Sequence, residues 1–178
     1  MERFYDQFAT DEHSVLEGWI VEPSREVKAA AAGIQESLRR FDWIDLVPEH
    51  FLHVWLGVPE RLGDAPQRWL ELAPFPIGYP RPNCFHNAVV VEVTQPMRRL
   101  VAGTRNDLPE FLPHMTVAVT RVEHPVGELR DTLAELRETD VGAQTVAETK
   151  LVRFPAAQST LFQPWEVVET VRLGQRPT

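Results

Sequence analysis

The sequence predicts an α+β fold: duplicated strand–helix–strand units forming a two-lobed, antiparallel-rich sheet structure with a central groove and outer helices. Three observations predict it. Short runs rich in β-branched residues alternate between apolar and polar positions. Helical segments place apolar residues three and four positions apart. The order strand, helix, strand then occurs twice, without sequence identity between the copies.

The first unit opens with a strand over Glu17–Glu22, stopped by Pro23. Ser24 is placed to cap a helix over Arg25–Arg40, whose alanine run and Ile34/Leu38 spacing let it lie close on a sheet. Phe51–Val58 completes the unit as a strand ended by Pro59. A short helix over Gln67–Leu72 follows. The four prolines and one glycine of Ala73–Asn83 predict an irregular crossing segment. The second unit consists of a valine-rich strand over Asn87–Thr94, a helix from Pro96 to about Thr104, and a strand over His114–Val122. An amphipathic helix over Val126–Glu138 carries Leu129, Leu133 and Leu136 on its apolar stripe, and two or three strands are expected between Thr145 and Leu173.

The chain has 178 residues, enough for one domain with a real core, placed at 15–178. Residues 1–14 read as a flexible tail or a short helix. They lack the basic start and apolar run of a signal peptide, and no segment has the length of a membrane helix, so the expected setting is the cytoplasm, as a monomer with no membrane partner. Cys84 is the only cysteine, which excludes an intramolecular disulfide and a cysteine-cluster metal site. The net charge of −8 and the scattered arginines argue against gripping a long duplex and for a small substrate or the end of a strand.

Two histidines stand at matching places on the second strand of each unit, in His53-Val54-Trp55-Leu56 and His114-Met115-Thr116-Val117. Period-two alternation turns His114 and Thr116 to one face and Met115, Val117 and Val119 to the other. It likewise turns His53 and Trp55 to a groove and buries Val54, Leu56 and Val58. Two imidazoles facing one groove suit phosphodiester cleavage, which needs one oxygen deprotonated and another protonated near neutral pH. A neighbouring hydroxyl can donate to the non-bridging oxygens where charge builds.

These motifs resemble those of the two-histidine (2H) phosphodiesterase superfamily, which includes the 2'-5' RNA ligase-like proteins and carries His-x-Thr/Ser-x once in each half of a duplicated α+β fold. The second motif and its lead-in Leu112-Pro113 match fully. The first matches in its histidine, its hydrophobic residues and the trailing Gly57, and departs at Trp55, where the family has a hydroxyl. The resemblance spans about residues 17–174. It implies His53 and His114 as catalytic acid and base, Thr116 as a substrate-binding residue, and no metal or other cofactor; Trp55, which alternation turns to the same groove face as His53, is read as a second substrate-binding residue. It implies hydrolysis of a cyclic or 2',5'-linked phosphodiester in a small nucleotide or RNA end, with ligation as the reverse reaction.

Which histidine is the acid stays open at this level. Trp55 has three readings: an altered but active site, a stacking floor that changes substrate choice, or a plug that weakens or removes activity, leaving a nucleotide- or phosphate-binding protein. Arg81, Arg98, Arg121 and Arg153 are each candidates to bind phosphate, and Phe154, Phe162 and Trp165 read as core or rim. His50 and His53, joined by His86, His114 and His124, are the weaker metal-binding alternative. No Gly-x-Ser-x-Gly turn or Gly-rich phosphate loop is present.

Overall fold

The computed structural model describes residues 1–8, 10–58, 67–101, 104 and 111–175. Its strands are β1 (Val15–Val21), β2 (Ile44–Leu46), β3 (Val54–Gly57), β4 (Phe75–Gly78), β5 (Pro82–Cys84), β6 (Ala88–Glu92), β7 (His114–Thr120), β8 (Ala143–Val146), β9 (Glu148–Pro155) and β10 (Glu166–Arg172). Its α-helices are α1 (Arg25–Leu38), α2 (Arg98–Val101) and α3 (Gly127–Glu135). Ser24 caps α1 by accepting a hydrogen bond from the Val27 amide, so the chain turns from extended to helical directly after Pro23.

One eight-stranded sheet has the order β10-β9-β1-β3-β7-β6-β5, with β2 also paired to β7. A separate two-stranded sheet joins β4 and β8, and every pairing among the described strands is antiparallel. The two predicted units are visible in this order. In the first, β1 and β3 pair on either side of α1 in the chain; in the second, β6 and β7 pair on either side of α2. The units meet at the β3–β7 seam, where Val54 pairs with Met115.

Behind the seam, α1 buries Val27, Ala31, Ile34 and Leu38. Gln35 fixes the helix by donating from Nε2 to the Val47 and Val117 carbonyl oxygens at 2.7 and 2.8 Å. These bonds satisfy backbone groups that helix packing removes from water. Val54, Leu56, Met115 and Val117 are buried, while His53, Trp55, His114 and Thr116 keep partial exposure, as alternation requires.

Several segments differ from the sequence reading. The stretch 73–83 is not simply irregular: it contains β4 and β5, whose prolines are tolerated because both strands lie at sheet edges. The three-residue β2 is too short for a periodic signal. The strand expected from Phe51 starts at Val54, after a 3-10 turn over Glu49–Phe51. Val58 does not stay on the core face. Gly57 has φ of +134°, which breaks the alternation, and Val58 returns to the groove side. The segment 1–14 contains a 3-10 turn over Phe4–Gln7, and its start is tied to the body by bonds from the Met1 amino group to the His124 carbonyl and from the Glu2 amide to the His86 carbonyl. The Tyr5 hydroxyl adds a 2.7 Å bond to Asp45.

Candidate active site

The seam register builds the site. With Val54 opposite Met115, one step each way sets His53 across from Thr116 and Trp55 across from His114. All four side chains share a face, with the two histidines on one diagonal. Each borders one cavity of about 700 Å³.

The two imidazoles are held in the same way. His53 Nδ1 lies 2.7 Å from the Phe51 carbonyl oxygen and His114 Nδ1 lies 2.7 Å from the Leu112 carbonyl oxygen. In each case the acceptor belongs to the residue two positions earlier. The bond places the proton of a neutral ring on Nδ1, which leaves Nε2 as the nitrogen able to accept or deliver a proton. Aromatic rings fix the planes. Phe51 and Trp165 meet His53 edge-on at 5.3 and 5.5 Å between centroids, and Phe85 meets His114 edge-on at 4.7 Å.

Burial disfavours the charged form of both rings. It holds His53 down at about 4; the Phe51 carbonyl offsets part of the effect, and a charge on nearby His114 lowers His53 a little further. Burial also moves His114 below the ordinary histidine value, against a partial offset from the Leu112 carbonyl. At neutral pH His53 is therefore a free base.

Trp55 meets the His53 ring edge-on at 6.3 Å between centroids and extends from there toward β1. Its six-membered ring lies over Gly18 of β1, on the side of β3 opposite β7, and it meets Phe154 of β9 edge-on at 5.9 Å. A Cβ on Gly18 would fall 1.9 Å from the ring's Cη2, so only glycine leaves this berth. A glycine inside a strand is the sequence signal for such a close approach.

Other walls of the cavity escape sequence reasoning. Phe4, Gln7 and Phe8 come from the N-terminal segment, and Ser14 from the approach to β1. Phe154, Leu161 and Phe162 come from β9 and the turn after it, so Phe154 and Phe162 border the site as well as the core. Trp165 serves as packing for His53. The ends of the chain meet here because β1 pairs with β9 and the Ala156 amide donates to the Ser14 carbonyl; no local pattern reports a contact so distant in sequence. Val119, buried as expected, also borders the cavity.

The four candidate arginines lie outside this lining. Arg153 pairs with Glu17 and Glu166, Arg81 with Glu92, and Arg121 with Asp45, while Arg98 donates to the Phe111 carbonyl. The remaining histidines are dispersed: His50 bonds the Phe162 carbonyl, His124 stacks on Trp43, and His86 faces Glu2. Among the described residues no three His, Cys, Asp or Glu side chains converge as an ion site. No described helix is long and apolar enough to cross a membrane.

The fold, with two strand–helix–strand units joined at a central antiparallel seam, is shared with solved structures. The chain is similar in structure to TT0787 of Thermus thermophilus, at 21% identity and a TM-score of 0.60 over 90% of this chain and 99% of that one. It is similar to E. coli LigT complexed with 3'-AMP, at 14% identity and a TM-score of 0.61 over 89% and 97%. A crystal structure described as a phosphoesterase matches at 12% identity and a TM-score of 0.59 over 89% and 98%. No protein-family model and no curated protein matches the sequence.

Proposed function

We propose that this chain is a phosphodiesterase of the 2H type that hydrolyses, without metal, a cyclic or 2',5'-linked phosphodiester in a small nucleotide or RNA end. The observation that carries the reading is the matched setting of His53 and His114: equivalent strands, equivalent carbonyl bonds and one shared cavity. The fold shared with LigT and a phosphoesterase, and the small nucleotide named with LigT, support the same class.

In this mechanism His53 is the base, because it stays neutral above about pH 4, through the acid range in which His114 still holds a proton. Its Nε2 takes a proton from water as the water oxygen bonds to phosphorus. The bond from phosphorus to the leaving oxygen breaks on the opposite side, and protonated His114 delivers its proton to that oxygen. Thr116, across the seam from His53, donates its hydroxyl to a non-bridging oxygen. Trp55 supplies no hydroxyl and serves as wall. The rival reading, a nucleotide- or phosphate-binding protein plugged by Trp55, needs that ring across both histidines; the ring touches His53 only by an edge and has its six-membered end over Gly18, which favours the enzyme.

A screen of 2',3'-cyclic nucleotides and 2',5'-linked dinucleotides tests the proposal, with turnover expected in the wild type. Dialysis against a chelator is expected to leave that turnover unchanged. A loss restored by zinc or manganese would place the reaction in a metal-dependent class.

The pH profile carries a further expectation. The base must be free, so kcat/KM rises as pH climbs through the His53 value of about 4. The acid must hold its proton, so kcat/KM falls as pH climbs through the His114 value, which lies below the ordinary histidine range. The expected profile is a bell with its maximum on the acid side of about 6.5. A maximum in alkaline solution would remove this pair from the proton transfers.

A further inference from the structure

The cavity has two unlike ends. His53, His114 and Thr116 supply polar groups at the seam. Away from them the walls are mainly hydrocarbon and aromatic, broken by the uncharged Gln7 and Ser14: thirteen of the eighteen described lining residues are apolar, and none of these eighteen is Lys, Arg, Asp or Glu. Among the described lining residues a second phosphate would meet no cation to offset the hydration it loses. An apolar group would instead be drawn out of water.

The far wall is also built at a conformational cost. Phe162 has φ of +73°, a left-handed conformation unusual for an aromatic residue. His50 Nε2 bonds the Phe162 carbonyl oxygen at 2.8 Å, and the Phe162 ring packs edge-on against Phe51 at 5.2 Å. Opposite elements close the space: Phe8, whose carbonyl accepts from the Gln158 side chain, and Leu16 of β1. These contacts hold an apolar wall beside the imidazole pair.

We infer that the site selects phosphodiesters with a single negative charge and a bulky apolar ester group, which docks against Phe8, Leu16, Leu161 and Phe162 while the phosphorus sits between the histidines. The inference rests on the phosphodiesterase reading and narrows its substrate from nucleotides in general to compact diesters with one charged phosphate.

The test is a series of 4-nitrophenyl alkyl phosphates, from methyl to hexyl, assayed with the full chain. In parallel, monoalkyl methylphosphonates of the same lengths are titrated by calorimetry as singly charged ligands that are not turned over. Each added methylene is expected to raise kcat/KM and tighten binding about fourfold until the cavity is full. Leu161→Gln, at a half-buried position, is expected to flatten both slopes. Slopes flat in the wild type, or ATP bound more tightly than the hexyl phosphonate, would overturn the inference. Cyclic-nucleotide turnover with flat alkyl slopes leaves the reaction standing and removes the apolar preference. A steep phosphonate slope with no turnover of any diester supports the apolar preference and removes the reaction.

Discussion

Replacing either histidine by alanine is expected to lower kcat by about 100- to 10,000-fold on whichever cyclic or 2',5'-linked substrate the wild type turns over. His53→Ala removes the base that is neutral at working pH, and His114→Ala removes the group that protonates the leaving oxygen. Neither loss is made good by a described neighbour, because among the described residues the other polar side chains on the cavity are hydroxyls and an amide: Gln7, Ser14 and Thr116. The pair acts as a unit, so the double variant is expected to fall little below the worse single one. Structural damage must be separated from chemical loss, since the His53 ring packs against Phe51, Trp165 and Phe154. A thermal melt settles that point for each variant, and added imidazole is expected to rescue part of the rate where only the proton carrier is missing. Full activity in either single variant, in a folded protein, would falsify the two-histidine mechanism.

The parts of this site that are legible in the sequence are those that repeat along one strand. His53, Trp55, His114 and Thr116 share a face because strand geometry has a period of two, and the burial of Val54, Leu56, Met115 and Val117 follows from the same rule. The doubled strand–helix–strand order likewise anticipates the seam, since two equivalent units pack most simply about their equivalent strands. What stays hidden depends on residues far apart in the chain. Phe4 and Phe8 lie on the cavity with an N-terminal segment that is bonded to His86, His124 and Asp45, Ser14 lies there beside the β1–β9 pairing, and Phe162 carries an unusual φ that sequence does not announce. Val58 leaves its expected face because Gly57 resets the alternation one residue earlier. The arginines are not legible as phosphate ligands because a cation cannot be assigned a task before its carboxylate partners are located: Glu17, Asp45 and Glu92 hold three of the four.

Gly18→Ala is expected to damage the site through Trp55, although Gly18 carries no chemistry. A Cβ there would stand 1.9, 2.5 and 2.6 Å from Cη2, Cζ3 and Cζ2 of the indole. Those distances are far inside van der Waals contact, so the ring must leave its berth. The room available to it lies along the shared face, toward the cavity and His114, which stands across the seam from Trp55. Two effects should appear together. Stability drops by about 1–3 kcal/mol, the usual result of overpacking, as the ring gives up its contact with Phe154. Turnover falls at least about tenfold, a barrier change of about 1.4 kcal/mol or more, because the displaced indole occupies the space that the phosphodiester needs. Trp55→Thr in the Gly18→Ala background removes the clash and places a hydroxyl across from His114, in the pattern of the second motif. Its expected outcome is recovery of turnover above the Gly18→Ala level, with a strong coupling between the two positions in a double-mutant cycle. Additive effects would mean that Gly18 and Trp55 act separately. A neutral Gly18→Ala would mean that the indole has another resting place outside the groove, and the glycine berth would then have no part in keeping the histidine pair open.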